Sequence, residues 1–350
     1  MNGVAKLVLT PLSVMYGLGV KTRNALYRRR ILRTLQVDAP VISVGNLTAG
    51  GTGKTPLVEW IANQLGQSGL RVTVLTRGYG RKSSGRVVVS DGSVVRSNVD
   101  EAGDEPFLLA QKLSGRAAVI CDADRAAAAS WAIEHLKSDV FILDDAFQHQ
   151  RIKRDLNILT IDASRPWGDG KLLPKGRLRE PITELSRADC VVITRAVDSG
   201  RINELQNEIE SRSPGLPTFV CSIKFGGLRK LEEMNSSPEV STISEKPVAA
   251  FCGIGNPESF FSLVRGAGYQ LNETRVFRDH YKYKQADIDR FANHAAQSGA
   301  QALLTTAKDA VKLKSLSFAL PCYVVEIAIE IEDEERFLEC INRAVDARRS

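Results

Sequence analysis

Residues 41–56, VISVGNLTAGGTGKTP, constrain the fold of this chain more than any other stretch. Val41–Val44 reads as a short buried strand. Three glycines follow (Gly50, Gly51 and Gly53), and Lys54-Thr55-Pro56 opens a helix, where proline is tolerated in the first turn. Strand, glycine-rich turn and helix N-terminus in that order expose successive backbone N–H groups to one anion. The expected nucleotide contacts are Thr48, Ala49, Gly50, Gly51, Thr52, Gly53, Lys54 and Thr55. Lys54 would reach the β- and γ-phosphates and the Thr55 hydroxyl would bind Mg²⁺. Thr48 departs from the usual GxxxxGK[ST] spacing, which has glycine there.

A loop of this kind sits at the C-terminal edge of a parallel sheet, and the rest of the chain supplies one. Apolar runs at Val72–Leu75, Ala117–Cys121, Val140–Leu143, Asn157–Ile161 and Val191–Thr194 alternate with amphipathic stretches at Leu57–Leu65, Pro106–Leu113 and Arg125–Leu136. That alternation implies right-handed crossovers and helices on both faces of a mostly parallel sheet. Residues 83–98 differ: two valine runs flank Asp91-Gly92, a hairpin signal. The serine-rich segment Glu232–Lys246 reads as a linker. A second alternation follows at Val248–Phe251, Pro257–Arg265, Arg275–Phe277, Gln285–Gln297 and Leu303–Thr305. Phe219–Phe225 and Tyr323–Ile331 bracket it and are expected to pair, and Asp333–Ala347 reads as a closing helix. The expected fold is α/β: a P-loop NTPase-like, mostly parallel sheet flanked by helices, with a second, smaller α/β domain. The expected units are 1–37, 38–222, 223–330 and 331–350.

Charge is unevenly placed. Residues 1–37 hold seven of the 47 lysines and arginines and none of the 41 acids, so the net charge of +6 belongs to the N-terminus and the body is neutral. That argues against a nucleic-acid surface, which spreads bases over a folded face. The apolar stretch Val4–Val20 is short for a spanning helix and is broken by Lys6, Pro11, Gly17 and Gly19. Followed by a basic run to Arg33, it suits a helix lying on an anionic membrane surface. The alternative is a helix docked on the protein's own core. Six scattered cysteines without a CxxC pair read as reduced, mostly buried thiols.

Val140–Leu143 ends on Asp144-Asp145, two carboxylates at the strand edge where a P-loop site needs a metal-holding acid. Adjacent strand residues face opposite ways, so both share that task only if the chain turns there. No [NT]KxD element is present, which favours ATP over GTP.

Several further stretches occur in order: Thr76–Arg81 (TRGYGR), Gly103–Pro106 (GDEP), Leu143–His149 (LDDAFQH), Leu172–Pro181 (LLPKGRLREP), Phe251–Pro257 (FCGIGNP), Phe277–Tyr281 (FRDHY) and Thr305–Asp309 (TTAKD). With the glycine-rich loop they resemble the tetraacyldisaccharide 4′-kinases, over about residues 40–315. Thr48 is itself a family trait, whereas Lys175, Arg177 and Ala307 depart from the family pattern. The resemblance implies a two-domain, membrane-associated enzyme using ATP and Mg²⁺ to phosphorylate the 4′-hydroxyl of the lipid A disaccharide precursor. The anionic inner-membrane surface, on its cytoplasmic side, would be its location, and no obligate protein partner is implied. It also implies Asp104 as catalytic base supported by His280, and acceptor contacts from Arg77, Tyr79, Arg81, Arg125, His149 and Arg179. Glu180 would join Thr55, Asp144 and Asp145 around the metal, or form a structural ion pair. From the residues alone, Asp104 reads as a helix-start acid and His280 as a surface histidine. A deviant P-loop ATPase acting as a membrane switch is the rival reading.

Overall fold

The computed structural model describes residues 3–195, 199–233 and 246–349; most of the expected linker at 232–246 lies outside them. The chain opens with helix α1 (Gly3–Arg28), then strand β1 (Val41–Gly45), α2 (Lys54–Gln67), β2 (Val72–Thr76) and β3 (Val87–Ser90). Short α3 (Val99–Ala102) runs into α4 (Asp104–Lys112), followed by β4 (Ala117–Cys121), α5 (Arg125–Leu136), β5 (Val140–Asp144), β6 (Leu156–Asp162), β7 (Cys190–Thr194) and α6 (Ser199–Arg212). A long strand, β8 (Thr218–Lys230), leads to β9 (Val248–Cys252), α7 (Pro257–Gly266), β10 (Leu271–Val276), α8 (Gln285–Gln297) and β11 (Ala302–Thr306). Then come α9 (Ala307–Ala310), β12 (Cys322–Ile331) and α10 (Glu334–Asp346).

All twelve strands join one sheet in the order β10-β9-β11-β12-β8-β7-β6-β1-β5-β2-β4-β3. Pairing is parallel except between β3 and β4 and between β8 and β12. The β8–β12 pair runs from Tyr323 opposite Lys230 to Ile331 opposite Cys221, and joins the seven strands around β1 to the three beyond β12. Alternation along each strand feeds two cores. Ile42, Val44 and Ile142 pack with Leu57, Val58 and Ile61 of α2 on one face. Val41, Phe141 and Leu143 pack with Ala126, Ala129 and Ala132 of α5 on the other. These side chains are fully or almost fully buried, and each large one contributes about 1.5–3 kcal/mol. A separate cluster around Phe251, Phe291 and Leu303 fills the far side of the β8–β12 pair.

The expected 83–98 hairpin is reduced to one bridge, Ser90 to Val95, and β3 pairs with β4 instead. Asp91 accepts the backbone N–H groups of Ser93 and Val94, which turns the chain, but Val94 points into solvent and has no face to pack on.

Candidate active site

β1 lies between β5 and β6, so the glycine-rich loop and Asp144 emerge side by side at one sheet edge. At Gly45 a Cβ would stand 2.5 Å from the Phe147 backbone nitrogen, so the loop's first residue and the turn after β5 can touch only without a side chain. The loop is clamped from several sides. Thr52 and Thr160 hydroxyls meet at 2.8 Å, Thr194 Oγ1 donates to the Thr52 carbonyl, and Ala49 N–H donates to the Arg177 carbonyl at 2.6 Å. Gln148 Nε2 donates to the Asn46 carbonyl. Gly53, with φ of 75°, leads into α2, whose first residues are Lys54 and Thr55.

The chain does turn after Asp144: Asp145 has φ of 48°, and the two carboxylates part. Asp145 sits 3.4 Å from Lys54 Nζ and 2.8 Å from Arg179 Nη1. Burial opposes its ionisation, but Lys54 and Arg179 outweigh it and hold its carboxyl below the ordinary range. Asp144 is buried without such a partner, and its Oδ1 has no hydrogen bond. Burial, with Glu105 and Asp145 nearby, pushes its pKa up to about 7. Arg125 is buried at the start of α5, its Nε unpartnered, with Arg77, Asp144 and Asp145 as electrostatic neighbours. His149 Nε2 is likewise buried and unpartnered; burial and then Arg125 drive its pKa down to about 4, so the ring is neutral.

Asp104 begins α4. Its Oδ2 lies 3.1 Å from His280 Nδ1, although 176 residues separate the two in sequence. His280 occupies a left-handed backbone conformation (φ 59°), rare for a side-chain-bearing residue and frequent at functional sites. Lys312 approaches the same Asp104 oxygen at 3.6 Å. Burial disfavours the Asp104 carboxylate, but His280 and Lys312 outweigh it and lower its pKa. Gly103, with φ of 91°, permits the turn before Asp104, and a Cβ there would meet the Tyr79 carbonyl at 2.8 Å. The 77–81 loop thus packs on the start of α4. Tyr79 is largely exposed, its ring centroid 5.8 Å from that of His280. Arg81 is tied to the carbonyls of Gly85 and Cys121.

Glu180 has a different setting from the rest. It is fully buried, with one carboxylate oxygen on Arg23 and Asn24 and the other on Arg187. The ion pair is therefore what Glu180 forms, with arginines from α1 and from residue 187 rather than with Arg179.

Comparison with known proteins now bears on this arrangement. A family described as Tetraacyldisaccharide-1-P 4′-kinase matches residues 5–346. The chain belongs to that family. A tetraacyldisaccharide 4′-kinase of Geobacter metallireducens is 44% identical over 307 residues, covering 87% of this chain and 88% of the relative. The one of Halothermothrix orenii is 36% identical over 359 residues, covering 97% and 93%. A crystal structure of LpxK from Aquifex aeolicus in complex with ATP superposes with a TM-score of 0.78 at 34% identity, covering 96% of this chain and 98% of that one.

Sequence reasoning on this tetraacyldisaccharide-1-P 4′-kinase family member passed over four residues that the fold brings in. Lys308 and Lys312 stand beside the Asp104–His280 pair. Arg187 stacks on Phe147, its guanidinium carbon 4.4 Å from the ring centroid, and holds Glu180. Arg195 pairs with Asp162 at 2.6 Å, and its Nη2 lies 3.8 Å from where a Cβ on Gly51 would stand. Local pattern carries no signal for contacts made across such separations; for Lys308, only its place in the TTAKD stretch marked it.

Proposed function

We propose that the glycine-rich loop, Asp104 and His280 carry out the kinase reaction of the family. The chain is an ATP-dependent lipid kinase that moves the γ-phosphate of ATP to the 4′-hydroxyl of a tetraacyldisaccharide 1-phosphate, the lipid A precursor. The observation that carries this reading is the Asp104–His280 contact, a carboxylate fixed by an imidazole beside a phosphate-binding loop. The loop amides and Lys54 hold the triphosphate. Asp104 takes the proton of the acceptor hydroxyl as its oxygen bonds to the γ-phosphorus, and the bond to the β,γ-bridging oxygen breaks, leaving ADP. Cationic Arg125, whose Nε has no hydrogen-bond partner, and exposed Arg77 suit an acceptor that already carries a phosphate. Neutral His149 supplies a ring nitrogen for the same region.

Mg²⁺ fits the residues present. Thr55 at the helix start and Asp144, with its orphaned buried oxygen, would hold it. Bound there it would neutralise charge building on the β- and γ-phosphates. Asp145 is engaged with Lys54 and Arg179 and orients them; Glu180, engaged with arginines, has no free oxygen to offer.

Among the described residues no helix is long and apolar enough to cross a membrane. α1 has two faces. Ser13, Gly17, Val20 and Asn24 form a stripe against the body: Ser13 donates to the Leu172 carbonyl, and Asn24 to Glu180. Val14, Met15 and Leu18 project outward on the other side. Together with the arginines at 28–30 and 33 this face suits the anionic inner-membrane surface, where the lipid acceptor resides. The units 38–222 and 223–330 would open and close about the β8–β12 pair, with His280 on Asp104 in the closed arrangement, as here.

The test is transfer of labelled γ-phosphate from MgATP to tetraacyldisaccharide 1-phosphate in micelles. Asp104→Ala is expected to lower turnover by about 10²–10⁴-fold with ATP binding intact. Release of free phosphate with no label on the lipid would overturn the reading in favour of an ATPase.

A further inference from the structure

The stretch Thr305–Asp309 resembles the family but has no role in the reaction as described above. It caps α9 and delivers Lys308 and Lys312 to the catalytic pair. Asp309 is fully buried and accepts from Gly253 N–H and from the Thr306 hydroxyl, so the start of α9 is fixed. From that anchor the Lys308 ammonium meets three acceptors: Glu105 Oε1 at 2.9 Å, Asp279 Oδ1 at 3.2 Å and His280 Nε2 at 3.5 Å. An ammonium has three hydrogens and no lone pair, so the set is matched one to one. Burial disfavours the charge, but Glu105 and Asp279 outweigh it and hold the Lys308 pKa above the usual value, so the group is cationic.

The consequence falls on the imidazole. An N–H on His280 Nε2 would face an ammonium, donor against donor, while Nδ1 faces a carboxylate that can only accept, so both contacts select the same ring state, Nε2 bare and Nδ1 protonated. The ring proton then sits on Nδ1, 3.1 Å from Asp104 Oδ2. We infer that Lys308 is a positioning residue that keeps His280 Nε2 free of an N–H and so, together with Asp104, holds the ring in the Nδ1–H tautomer, in which it donates to Asp104 Oδ2 and leaves Oδ1 to receive the acceptor's proton. This rests on the reading of Asp104 as base. It also makes Lys308 a tie between α4, through Glu105, and the loop carrying His280, so the pair is assembled only when both halves meet.

The experiment is ¹⁵N NMR of the full-length enzyme labelled at its four histidines, in detergent micelles, with His280→Gln to assign the resonance. The expected wild-type pattern is Nδ1–H with a bare Nε2. In Lys308→Met an N–H appears on Nε2 in part of the population while Nδ1 keeps its proton on Asp104, kcat falls by at least tenfold and KM for ATP stays within about twofold. Lys308→Arg, which keeps a donor, retains the wild-type tautomer and recovers part of kcat. An Nε2–H tautomer in the wild type overturns the inference without any variant, and so does an Nε2 that stays bare in a folded Lys308→Met protein. Failure of the base reading shows differently: Asp104→Ala would keep transferring phosphate whatever the tautomer.

Discussion

Asp144 and Asp145 are chemically identical neighbours that the backbone turns into opposites. The left-handed Asp145 swings its carboxylate onto Lys54 and Arg179, while Asp144 remains on the strand, buried and without a counter-ion in contact. The sequence pointed to both but could not separate them, because the separation depends on a single dihedral angle. A stability consequence follows with a definite sign. Folding raises the Asp144 pKa from 3.8 to about 7, so between those values the folded state holds a proton that the unfolded state has lost. Its contribution is therefore full below pH ~4 and declines as pH rises towards ~7. Asp144→Asn removes that penalty. In melts without nucleotide, the variant is expected to gain up to about 4 kcal/mol over the parent at pH 8 and nothing at pH 4. Phosphate transfer should be lost at both. Equal stability of the two proteins across that range would show that Asp144 is not held without a counter-ion.

At the scale of elements, legibility followed burial. Apart from the long, alternating β8 and β12, every strand of the sheet interior is a short, mostly apolar buried run, and helices α5 and α8 coincide with the expected spans. β10 was expected at Arg275–Phe277 but runs from Leu271 to Val276: as an outermost strand it exposes most of its side chains, so there is no apolar run to mark it. Contacts between distant elements were illegible in composition alone. Glu180 meets Arg23 across 157 residues, and without the family resemblance Asp104 and His280 would have stayed a helix-start acid and a surface histidine. α1 docks one stripe on the protein's own body, and its outward apolar stripe, the side to which the membrane reading applies, lies on a different face. Replacing Met15 and Leu18 together by Glu leaves the docked side untouched and puts two negative charges against anionic lipid. In sedimentation with anionic vesicles the double variant should lose most of its binding, while keeping the parent's melting temperature within about 2 °C, the small effect usual for exposed positions. Unchanged binding would show that α1 is only a packing helix.

At the scale of the whole molecule, one continuous sheet carries the glycine-rich loop and His280, and the β8–β12 pair is its link between them beside the direct ties that Lys308 and Lys312 make to α4. The register of that pair shifts between Glu326 and Ile327, opposite Gly227 and Phe225. At that irregularity Glu326, almost buried, pairs with Lys112 at the end of α4 and with Arg229 of β8, and Lys112 also pairs with Glu59 of α2. α2 begins at the glycine-rich loop and α4 at Asp104, so this one charge cluster ties the middle of α2 and the end of α4 to β12 and β8. Burial opposes the Lys112 charge, but Glu59 and Glu326 outweigh it and raise its pKa, so Lys112 is cationic, while burial, against the pull of Lys112, raises the Glu59 carboxyl above its ordinary value. Removing one member leaves partly buried cations underpaired: Glu326→Ala should cost about 3–5 kcal/mol in urea unfolding. The effect on catalysis should be unequal. The proposed nucleotide contacts, Thr48–Thr55, all lie on one side of the pair, so KM for ATP should hold, whereas kcat should fall because His280 meets Asp104 less often. A proportional rise in KM would mean that the cluster supports the phosphate loop itself rather than the alignment of the two halves.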